Sequence, residues 1–201
     1  MAGVSMRRLL IPLFLVVAML ARPQAAAAAG DVGPRPPGAF DYYVMTLTWV
    51  PAFCAHRPGD VECSKRLGFA LHGLWPQLNG GGYPSSCSDV ALTAQDRAQF
   101  ASVYPDPSMI DHEWPKHGTC SGLAPAGYFA LSAADVKAVT IPSAYQSPRT
   151  LRSKDARRVK QAFLAANPGL PADGVRVTVA KGLVAGIEVC LTKQGAFHSC
   201  S

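Results

Sequence analysis

Apolar residues fall in short blocks separated by Pro/Gly-rich breaks, and the blocks change period along the chain. Phe40-Asp41-Tyr42-Tyr43-Val44-Met45-Thr46-Leu47-Thr48-Trp49 is aromatic and β-branched on both alternating faces. That pattern predicts a strand buried on two sides, hence central in its sheet, ended by Pro51. Ala52 to Lys65 is polar and reads as a loop. Arg66 to Leu71 reads as a second strand, which the chain leaves at His72-Gly73 and turns away from at Trp75-Pro76. Asn79-Gly80-Gly81-Gly82-Tyr83-Pro84 is a loop by composition, and Gly30 to Gly38 a loose terminus. Thr93 to Val103 has helical spacing with a polar start and Phe100 on its apolar side. After the break at Tyr104-Pro105-Asp106-Pro107, Ser108 is a candidate cap. Pro115 is tolerated in a first turn but not in a helix interior, so the next helix is expected to begin near Asp111–Glu113. Gly127 to Lys137 and Arg149 to Ala166 follow as helices, the second closed by Asn167-Pro168-Gly169. Val175 to Val179 alternates as a strand, and Leu183 to Leu191 is a further one. Helices and strands mix without regular alternation. This favours an α+β fold with a central, mainly antiparallel sheet flanked by helices.

The first residues change the picture of the compartment. Arg7 and Arg8 precede the apolar run Leu9 to Leu20, and Ala27-Ala28-Ala29 offers small residues for cleavage. The run is shorter than the ~20 residues needed to cross a bilayer, so residues 1–29 read as a secretory signal rather than an anchor. Residues 30–201 are then expected to form a single domain, secreted or periplasmic, and to be a monomer with no membrane attachment. Losing Arg7, Arg8 and Arg22 trims the formal net charge of +6, leaving a mildly basic chain that is compatible with a polyanion but does not require one. Six cysteines in an exported chain imply disulfides. Spacing favours Cys54–Cys63 and Cys190–Cys200 as local staples, which leaves Cys87–Cys120 as the long link, although about 15 pairings are formally open. No Cys-x-x-Cys pair supports a zinc site. The basic set Arg149, Arg152, Lys154, Arg157, Arg158 and Lys160 is either a solvated helix face or a surface that steers a nucleic acid.

The chemistry concentrates in Asp111-His112-Glu113-Trp114-Pro115-Lys116-His117-Gly118-Thr119-Cys120. Crowding imidazoles, a carboxylate and an ammonium is costly unless they are used. Glu113 and His117 are four apart, as are His112 and Lys116, so helical geometry would aim them at one pocket. A surface helix with ordinary salt bridges is the plainer alternative. A zinc-protease signature needs histidines four apart on a helix. His112 and His117 are five apart, which turns them from a common face, and Lys116 would repel a cation. No metal or other cofactor is therefore expected. His72, from the second strand, supplies a partner imidazole. Two histidines can divide general acid and base work near neutral pH, while Lys116, Glu113 and His112 handle a phosphate. RNA brings its own nucleophile in the 2′-hydroxyl. Trp75 is either a stacking platform for a base or a core residue; Trp49 and Trp114 read as core.

Phe69-Ala70-Leu71-His72-Gly73-Leu74-Trp75-Pro76 and His112-Glu113-Trp114-Pro115-Lys116-His117-Gly118-Thr119-Cys120 resemble the two active-site segments of the ribonuclease T2 family, and the likeness spans Phe40 to Cys200. The resemblance implies an endoribonuclease that cleaves single-stranded RNA without a metal, through 2′,3′-cyclic phosphates to 3′-phosphates. It implies His117 as general base, His72 as general acid, and Glu113 and Lys116 as stabilisers of the pentacoordinate phosphorus. It further implies His112 as a phosphate ligand and Trp75 as the floor of the first base site, with Gln77 and Tyr83 as candidate base contacts. It also supports the Cys87–Cys120 pairing. Two positions depart from the family pattern: Thr48, where relatives often carry glutamine, and Gln77, where many carry aspartate. Both bear on base preference. The non-enzymatic alternative is an RNA-binding protein that uses the same groove.

Overall fold

The computed structural model describes residues 30–148 and 155–200. The expected signal segment, residues 1–29, and Arg149, Arg152 and Lys154 of the expected basic helix lie outside the described residues. Four strands form one antiparallel sheet in the order β2-β1-β4-β3. β1 (Tyr42–Trp49) is central, as its two apolar faces require. Tyr43, Met45, Leu47 and Trp49 enter the main core, while Tyr42 and Val44 pack on the opposite face against Cys190. β3 (Val175–Ala180) and β4 (Leu183–Leu191) fall where the alternation put them.

β2 differs from expectation. It runs Phe69–Gln77 and continues through His72-Gly73 and Trp75-Pro76 instead of turning away there. Pairing with β1 holds it along its whole length, from Trp49↔Phe69 to Tyr42↔Gln77. Pro76 is tolerated because β2 is an edge strand, where one missing N–H costs no ladder partner. The register slips between Thr46↔Gly73 and Leu47↔Leu71, so His72 is an extra residue in the strand, a β-bulge. Strict alternation would put Leu71 and Leu74 on opposite faces. With the bulge both are buried in the core, and His72 and Trp75 share the other face with rings 5.5 Å apart.

Short helices surround the sheet. Pro51 occupies the first turn of α1 (Val50–Cys54), and the expected loop to Lys65 ends in a 3-10 turn, Val61–Lys65. α2 (Ala94–Phe100) starts in a reciprocal capping box between Thr93 and Asp96, and its last expected residues form a 3-10 turn. Asp106, not Ser108, is the cap before the central motif. Its carboxylate accepts from the Ser108 N–H at 2.9 Å and hydroxyl at 2.8 Å, and a 3-10 turn Pro107–Met109 leads into α3 (Ile110–Lys116). α3 thus starts earlier than expected, and Pro115 lies in its final turn. The proline removes the bond back to Asp111 and the helix stops one residue later. α4 (Pro125–Ala138) and α5 (Ala156–Ala166) complete the layer. Phe100, Trp114, Tyr128, Phe129, Val159 and Phe163 pack with Phe69 and Tyr145 on the inner face of the sheet.

The Gly30–Gly38 segment is not loose throughout. The Val32 N–H donates to the Tyr83 carbonyl at 3.0 Å, and the Asp31 carboxylate accepts from the Ser85 hydroxyl at 2.7 and 2.8 Å. All three expected disulfides form. Cys87–Cys120 ties the Tyr83–Ser85 strip to the turn directly after α3. Among the described residues, no helix is long and apolar enough to cross a membrane.

Loop-closure entropy ranks the disulfides. Cys87–Cys120 spans 33 residues and Cys54–Cys63 only 9. Replacing the first pair by serine is expected to cost about 1 kcal/mol more than replacing the second, measured by urea unfolding of the two double variants.

Candidate active site

β2 and α3 meet at Gly73. A Cβ there would lie 2.2 Å from both Glu113 Oε2 and Trp75 Nε1, so only glycine permits the approach. A second glycine, Gly118, clears the Trp114 ring, where a Cβ would come within 2.4 Å. The contact carries Glu113 fully out of solvent, at 0% exposure. The Trp75 indole N–H donates to Glu113 Oε2 at 2.8 Å, while Oε1 has no hydrogen-bond partner.

The two predicted imidazoles flank this carboxylate. His72 Nε2 is 4.0 Å from Glu113 Oε1. His117 stacks on Trp75 with ring centres 5.1 Å apart and planes 25° apart. Tyr83 closes the far side, 5.9 Å from the His117 ring and 5.9 Å from Lys116 Nζ. His112 lies 6.5 Å from His117. His72, Trp75, Tyr83, His112, Glu113, Lys116 and His117 are therefore brought together. Gln77 is half-buried at the end of β2, its amide donating to the Trp75 carbonyl at 3.5 Å. Thr48, read from the sequence as lying near the base, also touches the far side of the general-acid candidate: its Oγ1 is 3.2 Å from His72 Nδ1. Only knowledge of the β1–β2 register could have revealed that contact.

The separation of His112 and His117 was a poor guide. α3 ends at Lys116, and His117 follows at φ −115°, rotated off the ideal helix although its N–H still donates to the Glu113 carbonyl at 3.0 Å. Ligand atoms of His112, Glu113 and His117 consequently lie within 4.8 Å of one another. The trio could grip a divalent ion, although the Lys116 ammonium acts on the same pocket.

Burial sets the protonation states. It raises the Glu113 pKa to about 8, against the pull of the Trp75 hydrogen bond and Lys116. It lowers the His117 pKa to about 3, helped by Lys116, His112 and His72, with Asp31 opposing. His72 is lowered by burial first, then by His112 and Lys116. At neutral pH the free site therefore holds a protonated Glu113 beside neutral imidazoles, and the 4.0 Å His72–Glu113 contact is not a standing ion pair.

A carboxyl with a raised native pKa favours folding fully below its unfolded pKa. That contribution is lost as pH rises toward the native value. Wild-type stability relative to Glu113→Gln is thus expected to fall between pH 4.5 and about 8, measured by urea unfolding at both ends of that window.

Comparison with known proteins identifies relatives of the chain. Residues 40–200 match the ribonuclease T2 family. A ribonuclease of Aeromonas hydrophila is 36% identical over 191 residues, covering 90% of this chain and 84% of that protein. Ribonuclease DdI of Dictyostelium discoideum is 26% identical over 178 residues, covering 79% and 76%. Ribonuclease MC1 from the seeds of bitter gourd superposes with a TM-score of 0.60 at 23% identity, covering 81% of this chain and 95% of that one. An RNase-related protein from Calystegia sepium gives 0.64 at 21% identity, covering 80% and 90%. At such identities the superpositions speak to the fold alone. The family match and the Aeromonas relative establish that this chain belongs to the ribonuclease T2 family.

Proposed function

We propose that this endoribonuclease cleaves single-stranded RNA by transphosphorylation, with His117 as general base and His72 as general acid. The observation that carries the reading is the placement of two imidazoles on either side of a buried carboxyl, His72 4.0 Å from Glu113 and His117 stacked on Trp75. His117, held neutral by burial, accepts the 2′-hydroxyl proton. The 2′-oxygen attacks phosphorus, the P–O5′ bond breaks, and His72 protonates the leaving 5′-oxygen. The products are a 2′,3′-cyclic phosphate and a 5′-hydroxyl. Water then opens the cyclic ester with the roles exchanged, giving a 3′-phosphate. Lys116 and the protonated Glu113 stabilise charge on the equatorial oxygens, and His112 binds the phosphate. Trp75 offers a face to the upstream base, with Tyr83 and Gln77 as its other contacts. The substrate supplies its own nucleophile and Lys116 a positive charge, so the chemistry needs no metal. The site is complete within one chain, so a monomer suffices. Three disulfides fit an oxidising compartment, in line with a secreted or periplasmic protein.

RNA cleavage by the disulfide-bonded protein in excess chelator is the direct test. Wild type is expected to yield cyclic-phosphate ends, and His72→Ala and His117→Ala to lose about 10²–10⁴-fold each. Sensitivity to chelator would return the His112–Glu113–His117 trio to a metal role. A folded wild type that binds RNA without cutting it would make the chain a binding protein.

The general acid must be protonated when it acts, yet the free site lowers the His72 pKa. An incoming phosphate anion removes that conflict, because nearby negative charge favours imidazolium. Addition of a nucleoside 3′-monophosphate is expected to raise the His72 pKa, followed by NMR titration of its ring protons.

A further inference from the structure

Two cavities border His72, and His117 lines neither, although the larger also touches the edge of the site at Trp75. The smaller, about 160 Å³, lies over Leu71, Pro105 and Met109, with the carboxylates of Asp60, Glu62 and Asp106 in its wall. The larger, about 330 Å³, lies over the outer face of the sheet toward Thr178, Ala180, Leu183 and Ala185. They share Thr48, Phe53, Arg57 and His72 as a common ridge.

The larger cavity has a local cause. Gly186 stands opposite Thr48, where a Cβ would lie 2.7 Å from the Leu47 carbonyl. The β3–β4 register then slips, so Ala185 is an unpaired bulge residue. The outer sheet face is hollow there. At its floor, Thr46 is only 9% exposed, and its hydroxyl has no hydrogen-bond partner. A buried polar group left unmatched calls for one. A hydroxyl both donates and accepts, so it can serve any base edge. Phe53 provides an aromatic face, and the Arg57 guanidinium lies 5.5 Å over that ring.

We infer that the larger cavity is a subsite for the second nucleobase downstream of the cleaved bond, with Thr46 Oγ1 bonding the base and Arg57 holding the phosphate that crosses the ridge. The inference rests on the cleavage reading above, in which the strand leaving past His72 is the downstream one. The smaller cavity backs onto Met109, beside the helix that carries His112 to Lys116, and takes the first leaving base. Its carboxylates offer acceptors to base amino groups but repel phosphate, so the backbone is steered over Arg57 and into the larger cavity, whose lining contains no carboxylate.

The test compares kcat/KM for a dinucleoside monophosphate and for the same substrate extended by one nucleotide at its 3′ end. In wild type the extension is expected to raise kcat/KM about tenfold, the scale of one stacked base. Thr46→Val is expected to cleave the dinucleotide at the wild-type rate and to lose most of the gain, and Arg57→Ala, whose side chain also borders the smaller cavity, to lose several-fold more on the extended substrate than on the dinucleotide. Thr46→Val removes an unpartnered hydroxyl, so the fold should tolerate it. No gain in wild type, or equal losses on both substrates in the variants, overturns the subsite. If wild type cleaves neither substrate, the cleavage reading fails. The cavity is then judged by binding of the two oligonucleotides with a 2′-deoxy sugar at the scissile position. Tighter binding of the longer one, abolished in both variants, supports the subsite, and equal binding overturns it.

Discussion

The structure turns on the approach of a strand to a helix at Gly73. Without a side chain there, β2 lets Glu113 slide behind Trp75 and out of water. Everything else in the site answers to that buried carboxyl. It stays protonated because it is dry, the indole N–H satisfies one oxygen, and His72 and His117 find their places around it. Desolvation is expensive for a charged group, and the fold meets the cost by changing charge states rather than by adding ion pairs. The site is poised: neutral imidazoles and a neutral acid wait for an anion to redistribute their protons.

Supporting constraints come from far along the chain. Pro115 ends α3 in time for His117 to swing back over Trp75. Cys87–Cys120 fixes the turn that follows. The Gly30–Gly33 strip pairs beside Tyr83 and sets the Asp31 carboxylate where it tempers the positive charge of Lys116. Precision here comes from backbone held on several sides, not from the helix alone, which is only seven residues long.

Much of this was legible beforehand. The two-faced apolar pattern of Tyr42 to Trp49 required a central strand, and cysteine spacing anticipated the staples. The crowding of His112, Glu113, Lys116 and His117 marked the site before any fold was known. What escaped was register. Nothing local says that β2 continues past His72, because Gly73 and Pro76 argue for a turn and only pairing with β1 overrides them. The Thr48–His72 contact depends on the same pairing. Counting residues between His112 and His117 also misled, since helical spacing ceases to apply where a helix stops.

The bulge at His72 separates chemistry from architecture. The histidine is the surplus residue of its strand, present in the chain but absent from the ladder of paired neighbours. A lineage that lost it by deletion would regularise the ladder and leave Leu71 and Leu74 two apart, still facing the core together. Exchanging it for another side chain would leave both the bulge and that facing intact. Scaffold and reagent can therefore drift apart here, and a descendant that grips RNA and no longer cuts it lies a short mutational step away.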